Sequence, residues 1–186
     1  MNKTTDQPAI QLQRLNGGNW PRYRAAIETL EGAAYEPARR DSIEHLERVV
    51  LHPRGVSVLA LADQAIAGFC LGAPLESFPT VSGVRSDPHF GAGDTVYSAD
   101  TAVAAPFRGR GIARQIKAMQ LTIAREEGYA FLAGRNRVGL ADAMWKINRA
   151  FGAYQVQYLQ NDYPDDIKPN ACIYYHIRLL GSRRLQ

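Results

Sequence analysis

Residue types and spacing that could do chemistry gather between Asp100 and Ala113, where the chain reads DTAVAAPFRGRGIA. A strand-like apolar stretch runs into a glycine-punctuated turn, and a helical pattern starts directly after it. Gly109 and Gly111 put no Cβ between the backbone and an approaching ligand. The first turn of the following helix has N–H groups without intrahelical partners, at the positive pole of the helix dipole. Together these features suit a phosphate or pyrophosphate. Arg108, Arg110, Arg114 and Lys117 are expected to surround that anion with positive charge.

The charge distribution agrees. Thr101 to Ala150 holds nine basic and three acidic residues, a larger surplus than the +4 of the whole chain. The first hundred residues hold nine basic and twelve acidic ones. Such asymmetry points to a polyanionic partner held by the middle of the chain, although a solvated basic helix face would give the same count. Two phosphate-binding motifs are excluded. A P-loop needs Gly-Lys-Ser/Thr at the helix start, where this chain has Gly111-Ile112-Ala113. A dinucleotide fingerprint needs a third glycine and belongs to the first βαβ unit; here Arg114 follows, beyond the middle of the chain.

The elements that must position this turn follow from periodicity. A strand is predicted over 9–15, then a helix over 19–30 with Pro21 in its first turn and Gly32 as its stop. A second helix begins at Asp41, with Glu44 completing a capping-box-like pair. Residues 55–61 and 65–71 read as a hairpin across Asp63-Gln64. From Gly72 to Asp94 there is no period, which predicts a long loop of functional interest. Thr95–Val103 reads as a strand, and Ile112, Ile116, Met119 and Ile123 stripe a helix that ends at Gly128. A short strand over 129–133, a helix over 142–151 and strands over 154–159 and 171–180 complete a mixed α/β sheet with helices packed on it. At 186 residues this is a single domain.

Arg108-Gly109-Arg110-Gly111-Ile112-Ala113 resembles the Arg/Gln-x-x-Gly-x-Gly/Ala turn of the GNAT superfamily of N-acetyltransferases. The hydrophobic strand ending in Val103 precedes it, as in that family. Arg135-Asn136 and the segment from Met144 to Gly152 resemble the family's next strand and helix. The resemblance spans nearly the whole chain. It implies a mostly antiparallel central sheet of about seven strands with helices on both faces. Residues 9–94 would form the acceptor-side half with its loop at 72–94, residues 95–152 the coenzyme A region, and residues 153–186 the last strands. It also implies acetyl-CoA as cosubstrate and a primary amine as acceptor, acetylated by direct attack through a tetrahedral intermediate. The turn Arg108, Gly109, Arg110, Gly111, Ile112, Ala113 would wrap the pyrophosphate. Ala102 and Val103 would meet the pantetheine arm and offer an N–H to the thioester carbonyl. Asn136 would contact the pantetheine amides.

The catalytic groups follow the family pattern less closely. A protonated amine must lose a proton before it attacks. The family's base often lies six residues before Val103, which here is Tyr97; a tyrosine with a pKa near 10 is a poor base unless perturbed. Asp100, on the opposite strand face by simple alternation, and Glu76, at the entrance to the loop, are the acidic candidates. Packing for Tyr97 and local hydrogen bonding for Asp100 are the plainer readings. The family's acid, a tyrosine four residues before the helix-ending glycine, is replaced by Asn148. Asparagine can bond the sulfur or orient the cosubstrate but has no proton to give. Tyr154, Tyr158 and Tyr163 are the nearby hydroxyls, more simply read as packing.

Other classes are weaker. No run approaches the length of a membrane span, and the opening residues do not read as a secretory signal. Two cysteines, Cys70 and Cys172, in apolar stretches fit a reducing cytoplasm. The four histidines show no metal-ligand spacing, so no metal is expected. Nucleic acid is disfavoured as a partner, because the arginines precede a patterned helix instead of lying in a disordered tract. A homodimer is compatible with the pattern. The competing function is a non-catalytic acyl-CoA-binding module with regulatory output.

Overall fold

A computed structural model describes residues 8–179. Seven strands and four helices follow in the order β1 (Ile10–Leu15), α1 (Trp20–Ala34), α2 (Ile43–Leu51), β2 (Ser57–Ala62), β3 (Ala65–Pro74), β4 (Thr95–Val103), α3 (Ile112–Glu126), β5 (Phe131–Arg137), α4 (Asp142–Ala150), β6 (Tyr154–Gln160) and β7 (Ala171–Arg178). They build one sheet in the order β1-β2-β3-β4-β5-β7-β6. Every neighbouring pair is antiparallel except β4 with β5, which is parallel. The mixed, mostly antiparallel sheet expected from the sequence is therefore present. None of the described helices is long and apolar enough to cross a membrane.

Helices cover both faces. On one, Tyr23, Ile27 and Leu30 of α1 and Leu46, Val49 and Val50 of α2 pack on Leu59, Phe69 and Leu71. On the other, Ile112, Ile116 and Ile123 of α3 pack on Val58, Cys70 and Val96. The period-2 alternation of the strands divides these two sets. Asp63 and Gln64 both take positive φ, as a two-residue hairpin turn that matches strand twist requires.

Four differences from the sequence reading have a physical cause. Gly32 does not stop α1, which continues to Ala34; a mid-helix glycine costs only about 1 kcal/mol, and packing outweighs it. The cap of α2 is Ser42, whose Oγ accepts the His45 N–H at 3.2 Å, while Asp41 gives its N–H to Glu31 Oε1 at 3.1 Å. β5 starts at Phe131 and runs to Arg137, because its pairing with β7 extends from Arg178 to Cys172. The irregular segment begins only at Phe78, after β3 and a 3-10 turn at Leu75–Ser77. It is a chain of successive turns with buried Asp87 as anchor, bonded by the Tyr174 hydroxyl and lying 2.6 Å from His176 Nε2.

A β-bulge lies beside the candidate turn. Leu71 pairs with Asp100 and Gly72 with Ser98, so Ala99 has no residue opposite. One extra residue reverses the alternation beyond it. Asp100 consequently lies on the same sheet face as Tyr97, not on the opposite one: Tyr97 joins the α1/α2 core, and Asp100 bonds Tyr35. Close approach of β3 to β4 depends on Gly68, where a Cβ would lie 2.8 Å from the Ala102 carbonyl oxygen and 3.1 Å from Ile116 Cδ1. Gly68→Ala is expected to destabilise the fold by about 1–3 kcal/mol, measured as a lower urea midpoint at unchanged slope.

Candidate active site

β4 and β5 pair only from Thr95–Ser98 against Phe131–Gly134. Both strands continue, β4 to Val103 held by β3 and β5 to Arg137 held by β7. From Ala99 and Arg135 onward their facing edges are unpaired with each other, so the sheet opens as a wedge. Strand edges of this kind present N–H and C=O groups to whatever enters.

The glycine turn lies at the open end. A 3-10 turn, Ala105–Phe107, leads to Gly109 at φ +77° and Gly111 at φ +75°. Positive φ and open space where each Cβ would stand explain why glycine occupies both places. Gly111 is the N-cap of α3, with no side chain capping it and no acid in the first turn. The amides of Ile112 and Ala113 head this helix, while the Ile112 side chain is buried in the core. Arg108 is exposed and gives its Nε–H to the Val103 carbonyl; Arg114 stands over the Phe151 ring. Arg110 reaches back to the Pro8 carbonyl. A groove of about 530 Å³ runs from this turn past Ala102, Val103 and Tyr35 to Met144 of α4.

Lys117 does not join the turn. It forms an i, i+3, i+7 row with Gln120 and Ala124 against the sheet, buried, with Nζ 2.9 Å from Ser98 Oγ and 2.7 Å from Gln120 Oε1. Burial pulls its ammonium down to about 8.

A second hollow of about 160 Å³ occupies the wedge itself and is lined by Tyr35, Tyr97, Asp100, Lys117, Arg135 and Asn148, among others. Tyr97 is buried, accepts Arg135 Nε–H at 3.1 Å and packs on Phe78. Burial outweighs Arg135 and raises its pKa, which leaves it a poorer base than free tyrosine. Glu76 does not reach either hollow. Its Oε1 accepts the N–H groups of Gly91 and Gly93, at 3.0 and 3.1 Å, and ties the 78–94 segment together. Asn136 and Asn148 are buried neighbours. Asn136 Nδ2 donates to the Ala141 carbonyl at 3.0 Å, Asn148 Nδ2 lies 3.5 Å from Asn136 Oδ1, and Asn148 Oδ1 has no partner among the described residues. Tyr154 and Tyr158 are exposed on the edge strand β6, whereas Tyr163 borders the hollow. Arg39 stands 4.1 Å and Arg135 5.3 Å from its ring centre. These cations are answered by acids: Arg39 by Asp165, Arg135 by Asp162, and Arg137 by Glu36.

The sequence reading missed Glu31 and Tyr35. They sit at i, i+4 at the end of α1, the spacing that would have found them had the helix been carried past Gly32. Tyr35 donates to Asp100 Oδ1 at 2.5 Å, and its Oη also lies 3.2 Å from the Thr101 carbonyl oxygen. The Glu31 and Asp100 carboxyls lie near enough for each to shift the other's protonation. Burial, then the Asp100 carboxyl, push Glu31 up to about 9; burial also raises Asp100.

The acetyltransferase (GNAT) family model matches residues 20–142. The chain belongs to this family. No curated protein sequence is similar enough to stand as a relative of this GNAT chain. Among solved structures, the ribosomal-protein-S18-alanine N-acetyltransferase of Escherichia coli superposes with a TM-score of 0.70 at 16% identity, covering 96% of this chain and 99% of that one. Arabidopsis thaliana Naa50, in complex with the bisubstrate analogue CoA-Ac-MVNAL, gives 0.66 at 18% identity over 90% and 97%. Salmonella typhimurium yncA, with its cofactor acetyl-CoA, gives 0.65 at 12% identity over 92% and 94%. The shared fold is thus GNAT throughout. Among the described residues no group of His, Cys, Asp and Glu side chains could hold a metal ion.

Glu31 has a testable signature in stability. A carboxyl raised from 4.5 to about 9 in the folded chain holds a proton there that the unfolded chain has released. Its stabilising contribution is full below the unfolded value and is lost as pH rises toward 9. Glu31→Gln, which stays neutral, should raise the melting temperature relative to wild type at pH 8, with the gain vanishing toward pH 4.5. Thermal scans across that range check it.

Proposed function

We propose that this chain transfers the acetyl group of acetyl-CoA to a primary amine on a small molecule or protein. One observation carries the reading: an uncapped, glycine-opened helix start sits in line with an unpaired β4 edge. Together these offer an anion grip and a strand-like slot. Acetyl-CoA, when bound, supplies an acyl group activated as a thioester.

The residues present fit that ligand. Gly109 and Gly111 have nothing within 4 Å of where a Cβ would stand, and the start of α3 has no acid to repel a diphosphate. The turn from Arg108 to Ala113 would hold the diphosphate through main-chain N–H groups, with Arg108 and Arg114 adding charge. The Ala102–Val103 stretch of β4 would pair with the pantetheine arm, and an N–H on this edge would stabilise the oxyanion. Asn136 and Asn148 would meet the arm from β5 and α4. Asn148 has no proton to release, so the sulfur leaves as thiolate, reasonable for a thiol with a pKa near 8.5. The acceptor would enter beside Tyr35 and Tyr163. A reducing compartment such as the cytoplasm suits the chain, since Cys70 and Cys172 are free and packed on opposite sheet faces.

The replacement of the family's tyrosine by Asn148 supports one other reading, an acyl-CoA-binding module without turnover. A thiol-release assay with acetyl-CoA over polyamines, aminoglycosides, amino acids and peptides separates the two. Release with at least one acceptor is expected; coenzyme A binding without release would favour the module. Gly111→Val should raise the KM for acetyl-CoA about tenfold or more, because a β-branched residue strains at φ +75° and its side chain occupies the grip. Unchanged kinetics would reject the site.

A further inference from the structure

The amine-acetylation reading needs a base; Tyr97 borders the hollow but is buried against Arg135 with a raised pKa, and Glu76 is bound to the Gly91 and Gly93 amides. Behind the site stand two buried carboxyls, Glu31 and Asp100. Their exposures are 3% and 6%, and each has one oxygen bonded and one not. Glu31 Oε1 accepts the Asp41 N–H, and Asp100 Oδ1 accepts the Tyr35 hydroxyl. Glu31 Oε2 and Asp100 Oδ2 are buried and take no donor from any other described group. Two neighbouring carboxyls at such burial cannot both stay ionised. A single proton held by the pair removes one of the two charges and supplies a donor where the buried oxygens lack one.

Tyr35 connects this pair to the site. It borders both the groove that leads to the glycine turn and the hollow in the wedge. Its hydroxyl already donates to Asp100, so it can pass that proton inward while it takes another from outside.

We propose that the Glu31–Asp100 pair, sharing one proton and reached through the Tyr35 hydroxyl, is the base that accepts the proton of the acceptor ammonium. This rests on the amine-acetylation reading. The ammonium N–H goes to Tyr35 Oη as the Tyr35 proton passes to Asp100 Oδ1, and the pair moves from one proton to two. The freed nitrogen electron pair forms the C–N bond, and the C–S electrons leave with sulfur. The second nitrogen proton follows to the thiolate, and the proton on the pair returns to solvent through Tyr35. Tyr35 is the group that touches substrate; Asp100 and Glu31 act through it, and Glu31 sets the charge state. Asp41, before α2, also acts on the pair and favours proton uptake; Arg135 and Arg137 of β5 and Lys117 of α3 line the same hollow as Asp100, and their positive charges oppose it.

The test measures kcat, KM and pH profiles for wild type, Tyr35→Phe and Asp100→Asn with an amine found in the thiol-release panel, alongside coenzyme A affinity. Infrared spectra of wild type and Glu31→Gln between pH 6 and 8 give a readout free of turnover. Tyr35→Phe and Asp100→Asn should lower kcat about 10²–10⁴-fold. Coenzyme A affinity should be unchanged, and the loss should shrink as pH rises toward the amine's own pKa. Wild type should show a neutral-carboxyl band at pH 7 that Glu31→Gln removes. Turnover with unchanged pH profiles in both variants, or no such band in wild type, would overturn the proposal while leaving acetyl transfer intact. Coenzyme A binding without turnover by wild type would overturn the transfer reading, and the base with it.

Discussion

Parallel pairing between β4 and β5 lasts four residues on each strand and then ends, in the middle of the sheet. A sheet interior does not ordinarily leave backbone donors and acceptors without partners, because unpaired buried amides are costly. This gap persists because both strands are secured from their outer sides, β4 by β3 and β5 by β7, so neither needs the other to stay extended. Between them α4 leans in, tied to β5 by the Asn136 contact with the Ala141 carbonyl. The separation of two strands, more than any one side chain, creates the slot.

The bulge at Ala99 begins where the wedge begins, and the two are mechanically linked. An inserted residue increases local twist and turns β4 away from β5. It also brings Asp100 onto the α1 face, where Glu31 and Tyr35 are waiting. Without the insertion Asp100 would face α3, the side on which Lys117 is buried. With it, the carboxyl meets another carboxyl and the ammonium meets only neutral oxygens. One residue of register therefore decides which partners the two groups meet, and burial leaves each perturbed in the direction that favours its neutral form.

What the sequence made legible is what local patterns encode. The glycine turn, the β4 boundaries, the hairpin at Asp63-Gln64 and the stripe of α3 all depend on neighbours within a few positions. The bulge depends on the partner strand, so no period in β4 announces it. Lys117, read from the sequence as part of the charge around the anion, instead lies with Gln120 at inward positions that a polar side chain does not announce. Gly32 looked like a stop because the Glu31–Tyr35 face has its partner on β4, with Asp100 lying 65 residues after Tyr35 in the chain. Asp87 as the anchor of the 78–94 segment is equally nonlocal, since its partners come from β7.

Charge along the slot then has a direction. At the glycine turn, arginines stand without acidic partners among the described residues, which suits a diphosphate that brings its own negative charge. At the other end Arg39, Arg135 and Arg137 are each matched by Asp165, Asp162 and Glu36, and they close around Tyr163. That end is balanced before any acceptor arrives, and the one proton-sharing pair adds a single negative charge beside it. In the proposed transfer, a cationic amine entering there would meet net negative charge at Tyr35 and the buried pair behind it. On that proposal the field would draw the ammonium toward the group that takes its proton, while the matched arginines, two of them tied to Asp162 and Asp165 of the 161–170 turn, would not repel the incoming charge.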